Sequence, residues 1–202
     1  MDLFEKLPAQ KVLPVLVIDN ADDAVPLVRA LLAGGLSYAE VTFRTAAAEE
    51  SIRRIAKELP EVTVGAGTVL TVAQADAAVA AGAKFLVSPG FNPTVVKHAI
   101  SIGVPIFPGC ITPTEMEAGM ELGLNVLKFF PAQQAGGPDF LKACSGPYRD
   151  VKFIPTGGIN AQNLGDYLAL DCVFACGGSW MAPQKLVAAG DWEAITQLCK
   201  EI

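Results

Sequence analysis

Residues 125–131 have the sequence NVLKFFP, an apolar and aromatic run that ends in a proline. Such a run predicts a buried β-strand, because proline cannot continue a ladder of backbone hydrogen bonds. On the two-residue period of a strand, Lys128 shares a face with Val126 and Phe130. A buried amine is costly to keep charged, and its neutral form is a nucleophile that can form a Schiff base with a carbonyl. The alternative is a strand-end lysine that reaches solvent. The aromatic residues that follow Lys128 favour the buried amine.

This strand is one of eight similar apolar runs, each followed by a Gly/Pro/Thr turn and an Ala/Leu-rich helical stretch. The runs begin near Val12, Tyr38, Val62, Lys84, Val104, Asn125, Val151 and Cys172. Their starts lie 20 to 26 residues apart, about the length of one strand–helix unit. Alternating strands and helices predict parallel pairing with right-handed crossovers. The sequence therefore predicts a single-domain (β/α)₈ TIM barrel over residues 1–202. A doubly wound open sheet, which normally needs fewer strands, is the second interpretation.

Capping residues mark where several of the predicted helices begin and end. Residues 112–115 have the sequence TPTE, which is typical of a capping box with proline at the first helical position. Weaker signals of the same kind are Asn-Pro at 92–93 and Thr71 with Gln74. Gly82 falls where a helix is expected to stop. These signals support the positions at which the strand–helix units are predicted to begin and end.

The overall composition excludes several classes of function. A net charge of −6 argues against a general nucleic-acid surface, and no apolar run approaches membrane-spanning length. The acidic start at residues 1–6 has no signal-peptide core, so we expect a cytoplasmic protein. The five cysteines include no C-x-x-C pair and predict reduced core residues.

The sequence also gives little support for a metal site. The single histidine, His98, cannot build a multi-histidine site, and its helical context predicts a surface residue. Cys172 and Cys176 share a strand face, but two thiolates without further ligands do not make a zinc site. We therefore expect no bound metal.

Polar residues alternate along the second predicted strand, Tyr38 to Arg44. Glu40, Thr42 and Arg44 share one face, and the opposite face is apolar and suited to packing against helices. An inward carboxylate is a candidate for acid/base catalysis, and an inward guanidinium can bind a carboxylate or phosphate. In the alternative register, these side chains would lie on the surface.

Glycine-rich turns end three further strands. Residues 65–68 (GAGT) lack the third glycine of a dinucleotide fingerprint and predict either a tight turn or a weak anion site. Residues 155–158 (PTGG) and 177–179 (GGS) end the seventh and eighth strands. In many barrels, bare amides and a helix N-terminus at these two places bind a phosphate. The paired loops therefore predict a phosphate site.

Over essentially its whole length, the chain resembles the family of 2-keto-3-deoxy-6-phosphogluconate (KDPG) aldolases, which are also known for 4-hydroxy-2-oxoglutarate (KHG) aldolase activity. Six segments carry the resemblance, in the same order and spacing as in the family. They are residues 41–45 (VTFRT), 65–70 (GAGTVL), 88–90 (SPG), 128–132 (KFFPA), 155–159 (PTGGI) and 177–180 (GGSW). The resemblance implies a barrel-shaped Schiff-base aldolase that needs no metal or other cofactor, acts on a small 2-keto acid and forms a homotrimer.

The resemblance also implies roles for individual residues. By motif position, Lys128 is the Schiff-base lysine and Glu40 transfers protons. The implied substrate-binding residues are Arg44 and Thr68 at the pyruvyl carboxylate, Pro89, Thr156 at the cleaved carbon, and Gly157, Gly158, Gly178 and Ser179 at the phosphate.

One position departs from the family pattern, and three rival functions remain. The family commonly has glutamate after Phe-Pro-Ala, where this chain has Gln133 followed by Gln134. The first rival is a sugar-phosphate isomerase with the same glycine loops, which would not require Lys128. The second is the related aldolase for 2-keto-3-deoxy-6-phosphogalactonate, against which Thr156 argues. The third is a non-catalytic assembly protein on the same scaffold.

Overall fold

The computed structural model describes residues 7–202, in which β-strands alternate with helices. The strands are β1 (Val12–Leu16), β2 (Tyr38–Thr42), β3 (Thr63–Gly67), β4 (Leu86–Ser88), β5 (Ile106–Pro108), β6 (Val126–Phe129), β7 (Lys152–Pro155) and β8 (Cys176–Gly178). The α-helices are Ala24–Ala33, Ala48–Glu58, Val72–Ala81, Pro93–Ser101, Pro113–Glu121, Gly137–Ser145, Leu164–Leu168, Gln184–Ala189 and Trp192–Lys200, and a 3₁₀-helix covers Ala21–Asp23. The predicted alternation of strands and helices is confirmed. Residues 1–6, on which the export prediction rested, lie outside the described residues.

The strands that pair within the described residues run parallel. Six of them form one sheet in the order β5-β4-β3-β2-β1-β8, and β6 pairs with β7 in a second sheet. Isolated parallel bridges link the two sheets, from Gly109 to Lys128 and from Thr156 to Gly177. The structure is therefore an α/β fold with a parallel half-barrel sheet.

The helices begin where the capping residues predict. Thr112 accepts a hydrogen bond from the backbone of Glu115, whose carboxylate accepts one from the backbone of Thr112 in return. Thr71 and Gln74 form the same reciprocal pair at the helix Val72–Ala81. Gly82 ends that helix with φ of 108°, a left-handed conformation that glycine adopts without a steric penalty. The predicted positions of these helix ends are confirmed.

Buried apolar side chains form two clusters on opposite faces of the strands. The larger cluster fills the space between strands and helices, and it includes Ala39 and Val41 from β2. The smaller cluster lies on the other face of the strands. Its members are Leu7, Leu13, Tyr38, Phe85, Val87, Phe107, Val126, Ile154 and Ala175. The alternation predicted for β2 is confirmed, because its neighbours Tyr38 and Ala39 belong to different clusters.

The second strand is shorter than predicted. It ends at Thr42, whose hydroxyl donates to the carbonyl of Leu16 at 2.9 Å, and the chain then turns. Arg44 therefore lies beyond the strand and is exposed. None of the helices in residues 7–202 combines the length and apolar character needed to cross a membrane.

Candidate active site

On each of three strands, a polar side chain lies two residues after a member of the smaller apolar cluster, nearer the carboxyl end of the strand. The pairs are Tyr38 and Glu40 on β2, Val126 and Lys128 on β6, and Ile154 and Thr156 at the end of β7. Because strand residues two apart point to the same face, the apolar cluster forms a floor beneath the polar groups. The three polar side chains are buried, with Lys128 5 %, Glu40 1 % and Thr156 6 % exposed.

The amine of Lys128 and the carboxylate of Glu40 meet in this space. Lys128 Nζ lies 3.5 Å from Glu40 Oε1 and 5.4 Å from the centre of the Phe130 ring. The interpretation of Lys128 as a strand end that reaches solvent is therefore wrong, since its amine contacts a buried carboxylate. Removing either partner would leave the other buried group without its ionic contact, which is costly. The arrangement places a potential nucleophile next to a group that can exchange protons with it.

Two glycines of β3 make room for side chains from neighbouring strands. A Cβ atom at Gly67 would overlap the carboxyl group of Glu40, and one at Gly65 would overlap the ring of Phe85. Both glycines lie inside β3 and pair with β2, so the interpretation of residues 65–68 as a tight turn is wrong for Gly65 and Gly67. Sequence reasoning missed this function of Gly67. The only signal in the sequence was glycine within a strand, which often marks a close approach of another group.

Thr68 follows β3 in a left-handed conformation with φ of 57°. This conformation is unfavourable for a β-branched residue and costs roughly 1–3 kcal/mol. The next residue, Val69, returns to the sheet by donating its N–H to the carbonyl of Val87 at 3.1 Å. Thr68 is half-buried at the same strand ends as Glu40 and Lys128. Backbone strain of this kind is found preferentially at functional sites.

Pro89 and Arg44 lie at neighbouring strand ends. Pro89 follows β4, and a Cβ atom at Gly109 would overlap the Pro89 carbonyl group. Gly109, which follows β5, bridges to Lys128 on β6. Pro89 is therefore separated from Lys128 by one intervening strand, β5. The exposed guanidinium of Arg44 makes no ion pair with any residue of the described range 7–202. Its charge is available to an anionic ligand.

The two glycine loops after β7 and β8 lie side by side. The bridge between Thr156 and Gly177 aligns them, and a Cβ atom at Gly177 would overlap the Thr156 hydroxyl. Within residues 7–202, the N–H groups of Gly157, Gly158 and Ser179 donate to no backbone or side-chain acceptor. The expected helix N-terminus is not at these loops, because the next helices begin only at Leu164 and Gln184 and are five and six residues long. Free backbone amides are therefore the donors that these loops offer.

The remaining candidates for chemistry lie elsewhere. His98 is at the protein surface, where its Nε2 atom lies 2.6 Å from Asp76, as its helical context predicted. The five cysteines are free and buried, and burial raises the pKa of Cys110 and of Cys176 to about 12. Among the described residues, no group of three or more His, Cys, Asp or Glu side chains could hold a metal ion.

A family model for KDPG and KHG aldolases matches residues 3–198, and known proteins resemble this chain over most of its length. The 2-dehydro-3-deoxy-phosphogluconate aldolase of Treponema pallidum is 51% identical over 199 residues, which cover 98% of this chain and 95% of that protein. The KHG/KDPG aldolase of Escherichia coli K12 is 47% identical over 190 residues, 94% of this chain and 89% of that protein. The crystal structure of the KDPG aldolase of Legionella pneumophila is 42% identical, with a TM-score of 0.95, and covers 98% of this chain and 96% of that one. In that crystal structure, pyruvate was captured at low pH as a covalent carbinolamine intermediate.

Proposed function

The chain belongs to the KDPG and KHG aldolase family, and we propose that it cleaves KDPG to pyruvate and glyceraldehyde 3-phosphate. It is a class I aldolase, a carbon–carbon lyase that works through a Schiff base. The same chemistry would cleave 4-hydroxy-2-oxoglutarate to pyruvate and glyoxylate. The observation that carries the proposal is the buried amine of Lys128, 3.5 Å from the carboxylate of Glu40.

Lys128 is the nucleophile in this proposal. Its neutral amine attacks the C2 ketone of the substrate to form a carbinolamine, which loses water to become an iminium ion. Glu40 carries the protons of these steps, because its carboxylate is the buried acidic group in contact with the amine. The floor of apolar side chains below the pair keeps bulk water from the lower side of the site.

Cleavage follows from the iminium ion. The positively charged nitrogen accepts the electron pair of the C3–C4 bond when the C4 hydroxyl group loses its proton. Glyceraldehyde 3-phosphate leaves, and an enamine of pyruvate remains on Lys128. Protonation of the enamine at C3 and hydrolysis release pyruvate and regenerate the amine.

Arg44, Thr68 and Pro89 bind the pyruvyl end of the substrate. All three follow parallel strands at the end where Glu40 and Lys128 lie, and Arg44 has no ionic partner within the described chain. A guanidinium is suited to a carboxylate because it donates two parallel hydrogen bonds. Thr156 acts on the configuration at C4 in this proposal, and the support is its burial on the same face as Glu40 and Lys128.

Gly157, Gly158, Gly178 and Ser179 bind the phosphate end. The support is the alignment of their two loops by the Thr156–Gly177 bridge and the free N–H groups that the loops offer. Backbone N–H groups that converge at adjacent strand ends form a common phosphate site in barrels.

We extend the proposal to the architecture and state of the protein. The eight strands close into a single-domain (β/α)₈ barrel, supported by bridges on both sides of the β6–β7 pair. The chain forms a homotrimer in the cytoplasm, which family membership and the free, buried cysteines support. Light scattering in solution would test the trimer.

Borohydride trapping tests the proposed chemistry. Treatment with pyruvate and borohydride should add one pyruvyl-derived unit to the peptide that contains Lys128 and should inactivate the enzyme. Lys128→Met should abolish labelling and cleavage while the fold persists, because methionine is close in volume and carries no charge. Lys152→Met, on the neighbouring strand, is the matched control, since the Lys152 amine is exposed and bonds the carbonyl of Asp171. Labelling at a lysine other than Lys128 would overturn the assignment.

A further inference from the structure

The backbone carbonyl groups of Gly157 and Gly158 are held by two different partners. The carbonyl of Gly157 accepts from the backbone N–H of Gln133 at 3.1 Å, and the carbonyl of Gly158 accepts from Asn163 Nδ2 at 3.0 Å. Both glycines have a positive φ, 100° and 76°, which residues with a side chain rarely adopt. The loop therefore depends on glycine for its shape and on these two hydrogen bonds for the direction of its peptide groups.

Each held carbonyl also fixes the direction of one N–H group. In a planar trans peptide, the carbonyl and the N–H of the next residue point in opposite directions. The N–H of Gly158 is therefore turned away from Gln133, and the N–H of Ile159 is turned away from Asn163. Within the described part of the chain, neither of these N–H groups donates to a backbone or side-chain acceptor.

The free N–H of Ile159 belongs to a buried residue. The Ile159 side chain packs in the larger apolar cluster, and the residue is 6 % exposed. A backbone N–H without an acceptor in a buried residue is rare, because its loss of contact with water is not compensated. Successive free N–H groups in a turn form a concave site for an anion. The N–H of Ile159 is thus a further donor, beside that of Gly158, for an anion at this loop.

The Asn163 side chain binds this loop and not its own helix. Asn163 is the N-cap residue of the helix Leu164–Leu168, a position where an asparagine oxygen usually accepts from the first turn of the helix. Here the side chain makes no such hydrogen bond. Its Oδ1 atom instead accepts from the N–H of Asn160 at 2.9 Å, while Nδ2 donates to Gly158. One donor and one acceptor together fix the orientation of the amide group.

We propose that Asn163 is a positioning residue for phosphate recognition and that the N–H of Ile159 is one of the donors to the phosphate dianion. The inference rests on the proposed function, because it takes the loop of Gly157 and Gly158 as the phosphate site. Asn163 holds the carbonyl of Gly158 away from the dianion, so that the N–H of Ile159 faces it. Without Asn163, the peptide between Gly158 and Ile159 can rotate, because glycine tolerates many backbone conformations.

Asn163→Ala tests the positioning role with two substrates. KDPG and its unphosphorylated counterpart, 2-keto-3-deoxygluconate, differ only in the phosphate. We expect KM for KDPG to rise roughly 10-fold, the lower range for one hydrogen bond to a charged group, while kcat changes little. Both constants for 2-keto-3-deoxygluconate should change little. Asn125→Ala, at an exposed position just before β6, is the matched control and should affect neither substrate. Equal losses on both substrates would show a merely structural role and overturn the proposal.

Asn163→Asp separates the two hydrogen bonds of the side chain. The aspartate can still accept from the N–H of Asn160, but it has no hydrogen to donate to the carbonyl of Gly158. KM for KDPG should therefore rise as in Asn163→Ala, again roughly 10-fold. Gln162→Glu places the same charge at the adjacent exposed residue and controls for it. A wild-type KM in Asn163→Asp, or a rise no larger than that in Gln162→Glu, would overturn the role assigned to the Gly158 carbonyl.

A titration with inorganic phosphate, followed through the amide resonances by NMR, separates this inference from the proposed function. In the wild-type protein, the amide protons of Gly158 and Ile159 should shift as phosphate is added, whether or not the chain is an active aldolase. In Asn163→Ala, the phosphate concentration at half-maximal shift should rise roughly 10-fold. No shift at Ile159, or equal affinities of the two proteins, would contradict the inference. A wild-type protein that binds phosphate in this way but cleaves neither substrate would contradict the proposed function alone.

Discussion

Lys128 Nζ lies 3.5 Å from Glu40 Oε1, although 88 residues separate the two along the chain. Their strands, β6 and β2, are four strands apart in either direction when the connecting bridges are counted. The contact therefore joins two strands that belong to different sheets and do not pair with each other. Neither group faces bulk water, so each depends on the other for its ionic contact.

Glu40→Gln should reduce turnover without preventing attack by the amine. The lysine remains, but the group that moves protons is lost, and such a loss typically lowers the rate about 10²–10⁴-fold. Borohydride trapping of pyruvate should be slowed rather than abolished. Steady-state kinetics and the time course of labelling are the measurements, and Glu61→Gln at an exposed position serves as the control. Full turnover by Glu40→Gln would show that another group transfers the protons.

Gly67→Ala should impair catalysis through the position of Glu40. The added methyl group would occupy the place of the Glu40 carboxyl group, which must then move away from the amine. We expect kcat to fall by an amount comparable to that for Glu40→Gln, about 10²–10⁴-fold. Gly165→Ala is the control, because a Cβ atom there meets nothing within 4 Å. Wild-type kcat in Gly67→Ala would mean that the carboxylate position does not matter.

A negative charge at Ser179 should weaken binding of the phosphorylated substrate. Gly178 is unsuitable for this test, because a Cβ atom there would overlap the ring of Trp180. Ser179→Asp adds a charge at an exposed side chain beside the free amides, and we expect KM for KDPG to rise roughly 10-fold or more. KM for 2-keto-3-deoxygluconate should change little, and Ser179→Ala controls for loss of the hydroxyl group. Similar changes for both substrates would count against a phosphate site here.

The stability of the protein should fall as the pH rises above about 9, in part because of its buried thiols. Burial raises the pKa of Cys110 to about 12, above the value of about 8.5 for an exposed thiol. Between these values, the unfolded chain loses the thiol proton and the folded chain keeps it. The unfolded state then binds fewer protons, so the free energy of unfolding decreases by up to about 1.4 kcal/mol per pH unit for each such thiol.

Denaturant titrations at several pH values check this expectation. Cys110→Ala should lower the stability at neutral pH, because it leaves a cavity, but its stability should depend less steeply on pH above about 9. Equal slopes for the variant and the wild-type protein would show that Cys110 does not remain protonated in the folded state.

Much of the fold could be predicted from the sequence, because its signals are local. The repeat of apolar runs predicted the alternation of strands and helices, and the capping residues at Thr112 and Thr71 predicted helix starts. The prediction was wrong at the end of the second strand. This strand ends at Thr42 and the chain turns at residues 43–44, so Arg44 is not part of the strand.

For the site, the sequence by itself predicted the candidate residues, and it determined on which face of their own strands Lys128 and Glu40 lie. Lys128 follows Val126, and Glu40 follows Tyr38, by the two-residue period of a strand. Only the tertiary structure decided which of these groups meet. It brought Lys128 to Glu40, and it placed Gln133 between Gly158 and Tyr167. The two-residue period of a strand and the propensity to form a strand or helix depend on neighbours along the chain. The contacts between strands depend on strand order and register, which the whole chain determines as it buries its apolar faces.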